Sequence, residues 1–259
     1  MSSTEYAQAR MQARFGARPD AALWRELDGL RDLRTYLEAV NGTSLRCWVA
    51  GMEAGADLHH IEIRLRERLR AHIREVAGWL PPEWRPALLW LQHLLALPAI
   101  AHLVAGHAPL PWMSREPELQ KLAVGGDLQG GAIAIPDFLL RDRRGRRVLR
   151  GASDPGGAPA AWLAEWERRW PAGAAESSGG LRKIIATISA HLARFGEGGV
   201  GDAGHMRAAL EHALRVLFRR SALQPEAAFS YLALVALDLE RLRAQLVLRV
   251  LWQRGRTAA

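Results

Sequence analysis

Apolar residues recur every three or four positions along most of the chain. The strongest case follows Asp57, where Leu58, Ile61, Leu65, Leu69, Ile73, Val76 and Leu80 share one helical face. Asp57 is the predicted N-cap, because its carboxylate can accept a free amide of the first turn. Pro81-Pro82 is the predicted stop, because proline has no amide donor and disfavours helical geometry in the residue before it. Upstream, Ser2-x-x-Glu5 has the form of a capping box for a helix reaching Phe15, and Asp20 caps a second that carries Leu23, Trp24, Leu27 and Leu30. Leu33, Tyr36, Leu37 and Val40 continue to Asn41-Gly42, after which Thr43 caps a short helix with Leu45, Trp48, Val49 and Met52. Residues 83–97 read as one apolar helix, with Pro98 opening the next, which ends at Gly106.

The periodicity weakens from 108 to 178. Gly125-Gly126, Gly130-Gly131, the basic run from Arg141 to Arg150 and the stretch 151–157 punctuate it. Helices are predicted near 116–124, 132–140 and 160–169, with a strand pair over 128–140 as the alternative to the second. The 3.6-residue pattern then returns for helices near 181–195, 205–220 and 225–254, with a turn over 196–204. The predicted fold is all-α: a multi-helix bundle or quasi-repeated helical array with a Gly/Arg-rich loop region in the middle. It divides into a helical region 1–107, a loop-rich middle 108–178 and a helical region 179–259, separate or joined in one compact domain. An internal echo, Trp79-Leu-Pro-Pro-Glu-Trp84 against Trp162-Leu-Ala-Glu-Trp166, is of the kind that repeats produce.

Composition narrows the classes. With 49% hydrophobic and 24% charged residues, the chain has the balance of a globular protein. The apolar stretches 88–104 and 229–237 fall short of the roughly 18 uninterrupted residues of a membrane span. A net charge of +8, carried almost wholly by arginine since Lys121 and Lys183 are the only lysines, favours anionic partners: nucleic acid, anionic lipid or acidic protein. Cys47 is the single cysteine, which excludes an internal disulfide and CxxC chemistry and predicts a reducing, cytoplasmic setting. The N-terminus lacks the basic-then-apolar order of a secretory signal, so no export is expected.

Catalytic motifs are sparse. Gly179-Gly180-Leu181-Arg182-Lys183 lacks the spacing of a phosphate-binding loop and reads as a helix start, and no GxSxG elbow surrounds a serine. Cys47, in an apolar Trp-containing helix, reads as a small buried hydrophobe. His59, His60, Glu62, His72 and Glu75 lie on one helix, but without HExxH or paired ExxH they read as solvated or hydrogen-bonded. No metal or cofactor is expected. Arg64, Arg66, Arg68, Arg70 and Arg74 crowd the polar side of the long helix, a solvated face or a docking surface on which Arg64 and Arg68 are the candidate contacts. Arg141, Arg143, Arg144, Arg146, Arg147 and Arg150 form a second cluster in a loop, the first place to look for nucleic-acid binding. No helix-turn-helix, zinc-finger or RRM signature supports such binding. The tryptophans fall at core spacing, except Trp112, which Pro111 and Met113 flank in a loop and which is predicted to be exposed as part of an interaction surface.

The two ends of the chain carry a resemblance. Tyr6-Ala-Gln-Ala-Arg10-Met-Gln-Ala-Arg14, followed by the segment 30–40, and the closing run from Phe229 through Tyr231, Glu240 and Arg243, resemble the C subunit of A/V-type rotary ATPases, subunit d in eukaryotes. The resemblance implies an all-helical, non-catalytic protein of quasi-repeated bundles. It would sit on the membrane rotor ring at the cytoplasmic face of the inner membrane and receive the central stalk. Tyr6, Arg10, Tyr231, Glu240 and Arg243 are then structural positions. Two other classes stay open: an Arg-rich nucleic-acid-binding or adaptor protein, and a helical-bundle enzyme whose dispersed carboxylates, Glu62, Glu75, Glu211, Asp238 and Glu240, meet in space.

Overall fold

Three aspartates start helices by one local device. Asp20, Asp32 and Asp57 hold an extended backbone while their carboxylates accept the amides of Leu23, Thr35 and His60 at 2.8, 3.0 and 2.7 Å. The Thr35 and His60 amides hold Asp32 and Asp57 below the usual carboxylate range. The computed structural model describes residues 3–104, 107–116, 119, 157–173, 179–197 and 202–257. In chain order its α-helices are α1 (Ser3–Gly16), α2 (Ala21–Asp28), α3 (Leu33–Asn41), α4 (Arg46–Val49), α5 (Leu58–Trp79), α6 (Arg85–Trp90), α7 (Leu97–Val104), α8 (Gly157–Arg168), α9 (Gly179–Glu197), α10 (Ala203–Arg220) and α11 (Glu226–Thr257). No strand occurs among the described residues, and the fold is all-α.

The long helices fall where the apolar stripes put them. Residues 83–97 do not form the single predicted helix: a 3₁₀ turn at Pro82–Trp84 precedes α6, and a second 3₁₀ stretch, Leu91–Ala96, separates α6 from α7. Pro98 has no amide to give the Leu94 carbonyl, which instead takes the Leu97 amide in the tighter 3₁₀ spacing. Neighbouring side chains use other carbonyls of this segment. Arg66 donates to that of Leu95, and Trp166 Nε1 to that of Ala87 at 2.9 Å. Thr43 does not directly cap α4; its hydroxyl accepts the Leu45 amide one step earlier. The turn before α5 requires a glycine, since Gly51 has φ +79° and an added Cβ would stand 2.9 Å from Arg64 Nη2. The predicted elements at 132–140, the strand alternative, most of the helix at 116–124, and the arginine cluster from Arg141 to Arg150 lie outside the described residues.

One hydrophobic core joins both ends of the chain, from Ala7 and Met11 on α1 to Leu246 and Val250 on α11. Helix α11 is its axis, packing on α1, α3, α5, α9 and α10. The two Trp echoes meet at one ring: Trp84 and Trp166 both stand edge-on to Phe229, with centroids at 6.1 and 5.4 Å. No helix among the described residues is long and apolar enough to cross a membrane.

Phe218 on α10 is fully buried and stacks on Phe15 of α1 at 4.7 Å. Phe218→Ala should therefore cost about 3–5 kcal/mol of unfolding free energy in urea titration, because the cavity relaxes only partly. Leu192→Ala, at a site 64% exposed, should change it by less than about 0.5 kcal/mol.

Candidate functional site

Charged residues on the apolar stripe of α11 organise a polar seam through the core. Asp238 shares a face with Tyr231, Leu234, Leu242 and Leu246, so the helix buries its carboxylate. Arg18, from the turn after α1, meets it as a fork: Nε donates to Oδ2 at 2.7 Å and Nη2 to Oδ1 at 2.8 Å. Both side chains are nearly buried, at 6% and 10% exposure. Arg18 Nη2 also reaches Glu211 of α10 and the Leu234 carbonyl, each at 3.4 Å. Desolvation pushes the Asp238 carboxyl up, against the opposing pull of Arg18.

The seam continues across α5. Glu75 takes Arg14 at 2.6 Å and Arg10 at 3.5 Å, and both guanidiniums lie over the Trp79 ring. Its second oxygen stands 3.4 Å from Nδ1 of buried His72, whose Nε2 is 3.0 Å from the Tyr231 hydroxyl. Burial, with the positive charge of Arg14, lowers the His72 pKa to about 4, so the ring is neutral at pH 7. Burial raises the Tyr231 pKa, so that phenol keeps its proton. The arrangement that satisfies all three groups has Nδ1–H facing Glu75 and the Tyr231 O–H donating to Nε2. Arg14, Arg18, Cys47, His72, Tyr231 and Asp238 line a pocket of about 100 Å³ at this junction.

Cys47 is exposed, which corrects its prediction as a buried hydrophobe: it lies on the outer side of α4, while Trp48 and Val49 turn inward. Desolvation of the thiol raises its pKa, away from thiolate chemistry. At this junction the thiol and phenol are protonated at neutral pH, the imidazole lone pair is engaged by a hydroxyl, and the carboxylate is forked by arginine. Such an array locks elements together more readily than it moves protons.

Of the resemblance-based positions, Arg10 and Tyr231 belong to this seam and Tyr6, Glu240 and Arg243 do not. Tyr6 is exposed, with Arg10 over its ring at 6.0 Å; Tyr231 is buried; Glu240 is exposed and pairs with Arg207 at 2.9 Å. Arg243 donates through Nε to Glu62 at 2.5 Å. The five dispersed carboxylates are shared among four arginine clusters: Glu62 with Arg66 and Arg243, Glu75 with Arg10 and Arg14, Glu211 and Asp238 with Arg18, and Glu240 with Arg207.

The arginine face of α5 is only partly solvated. Arg64 pairs with Glu67 and lies against Gly51, and Arg68 donates to the Ala50 carbonyl at 3.2 Å, so both clasp the turn before α5. Arg70 pairs with buried Glu116. Trp112 is 7% exposed, which overturns its predicted exposure: the Arg66 guanidinium covers its ring at 4.2 Å. Of the predicted contact arginines, Arg141, Arg143, Arg144, Arg146 and Arg147 lie outside the described residues.

Sequence reading passed over Arg18 and Arg249 and took His72 as solvated or hydrogen-bonded, and the structure has it buried and hydrogen-bonded to Tyr231. The signal for the burial of two of these three was present, since His72 stands seven residues after Leu65 and four before Val76, and Arg249 seven after Leu242, both in apolar register. No family model, curated protein or solved structure matches the chain.

Removing one member of a buried ion pair strands the other, so Arg18→Met should cost on the order of 3–5 kcal/mol in chemical denaturation. Adding Asp238→Leu to that variant should recover most of the loss. For His72, whose folded pKa lies below its unfolded value near 6.5, the stabilisation is present above pH 6.5 and is lost as pH falls toward 4. Unfolding free energy should fall by up to about 3 kcal/mol across that window. His72→Gln should flatten the slope measured by denaturation at each pH.

Proposed function

We propose that this chain is a non-catalytic assembly and coupling subunit, of the kind that links the rotor ring to the central stalk in A/V-type rotary ATPases. The observation that carries this reading is the union of the two chain ends that bear the resemblance. Helix α1 and the turn after it join α11 through the Arg18–Asp238 fork, and α2 joins α11 through Arg241 to Asp28 at 2.8 Å and Arg249 to the Leu27 carbonyl at 2.7 Å. A part that passes force between partners has to resist shear between its own helices. The forked, desolvated Arg18–Asp238 pair, between elements remote in sequence, suits that task, because its geometry is directional in a way that apolar packing is not. A place on the cytoplasmic face of the inner membrane follows from this reading, with other subunits of the complex as partners.

Affinity purification of the tagged full chain from detergent-extracted membranes tests the proposal. Rotary ATPase subunits should co-purify in fixed proportion. A washed membrane fraction devoid of the chain overturns it.

A further inference from the structure

Between α5, α7, the turn at 110–113 and α11 lies an open groove of about 460 Å³. Its apolar lining includes Leu58, Pro98, Trp112 and Val247, and its polar groups are His59, Glu62, Arg66, His102 and Arg243. The charges do not balance. Burial alone would push Glu62 up, yet hydrogen bonds from Arg243 and Arg66 and their charges hold it below the usual carboxylate range, so one carboxylate faces two guanidiniums. Arg66 is committed, bonded to Glu62 and the Leu95 carbonyl and stacked on Trp112. Arg243 is 54% exposed, and its terminal nitrogens make no hydrogen bond among the described residues. Among the described residues the groove therefore offers an exposed guanidinium, bonded through Nε alone to Glu62, beside an apolar wall.

That wall continues along α11. Leu248, Leu251 and Trp252 are exposed at 40%, 50% and 43%. With Ala244 and Gly255, Leu248 and Leu251 form an outward stripe of four-three-four spacing, the seam that receives a second helix knobs-into-holes. An added Cβ at Gly255 would meet nothing within 4 Å, so that end of the stripe is open. From Ala244 to Gly255 the stripe runs about 16 Å, the length of three helical turns and more than a small ligand covers. The sequence from 241 to 259 has no acidic residue, and of its arginines Arg249 is buried and Arg241 is bonded to Asp28, so Arg243 is the exposed guanidinium beside the groove; an occupant that complements it brings a carboxylate there, and a second copy of this end would bring like charges together.

We propose that this surface docks an acidic amphipathic helix of another polypeptide, with apolar side chains on Leu248, Leu251 and the groove beside Val247, and a carboxylate on Arg243. The inference rests on the assembly reading above and specifies its contact.

A photoreactive benzoylphenylalanine placed at position 251 of the full chain, irradiated in cells, tests it once the attached peptide is sequenced by mass spectrometry. The expected adduct is an acidic amphipathic segment of another protein. Its yield should fall at least tenfold in Arg243→Glu and in Leu248→Asp, each checked for unchanged thermal unfolding, and the same probe at exposed position 192 should not give it. No adduct, an adduct to lipid or to a second copy, or a yield indifferent to both substitutions overturns the docking surface. If rotary ATPase subunits co-purify while position 251 attaches to none of them, the groove falls and the assembly reading stands. If position 251 attaches to an acidic helix of a protein outside such a complex, the groove stands and the rotary assignment falls.

Discussion

A buried charge must find a counter-charge or hydrogen-bond acceptors before the helix that carries it can pack, and α11 carries two. Asp238 and Arg249 both lie on the apolar stripe of this 32-residue helix, and burying either unpaired would cost several kcal/mol. Their partners come from the opposite end of the chain: Arg18 forks Asp238, while Arg249 reaches the Leu27 carbonyl and lies over the Tyr36 ring at 3.8 Å. Leu27 lies in the last turn of α2, at the negative end of its dipole, and its carbonyl accepts the guanidinium beside the Leu30 amide at 3.2 Å. Arg241 and Gln245 add hydrogen bonds to Asp28 in the same place. The partnered carbonyl and ring leave Arg249 fully buried, and desolvation lowers its pKa and raises that of Tyr36 to about 12. The fold thus closes its last helix on its first three by electrostatic necessity as well as by apolar area.

This changes how the net charge of +8 is read. Summed over the sequence it suggests a positive exterior. In the structure, Arg18, Arg66, Arg70 and Arg249 are largely withdrawn from solvent, each on a carboxylate, a carbonyl or an aromatic face. Arginine suits this use, since its planar fork takes two acceptors at once and its faces stack on rings. Surface potential is then set by the more exposed arginines, among them Arg243, which is 54% exposed while its Nε bonds Glu62.

The Trp-rich segments obey a related rule. Trp166 Nε1 donates to the Ala87 carbonyl and Trp90 Nε1 to that of Trp162, so α8 and α6 exchange indole-to-backbone hydrogen bonds. The Ala87 acceptor lies in the last turn of α6, where the helix gives way to the 3₁₀ stretch, whereas the Trp162 acceptor belongs to α8 itself. The interruption that the apolar pattern did not reveal is therefore where distant side chains attach, and Arg66 uses the Leu95 carbonyl in the same way.

Local rules in the chain itself determined much of this protein. Apolar spacing placed α5, α9, α10 and α11 within a few residues, and Asp20 and Asp57 marked helix starts because a cap needs only its own next three amides. The same spacing placed His72 and Asp238 inward, so their burial was legible although their partners were not. Tertiary structure alone decided that Arg18 meets Asp238 across 220 positions, that Arg66 roofs Trp112, and that Cys47 turns outward on a helix too short to show a period. Periodicity reports which face of a helix is dry, but the identity of the neighbour on that face depends on how helices far apart in the chain come together, and no local pattern carries that information.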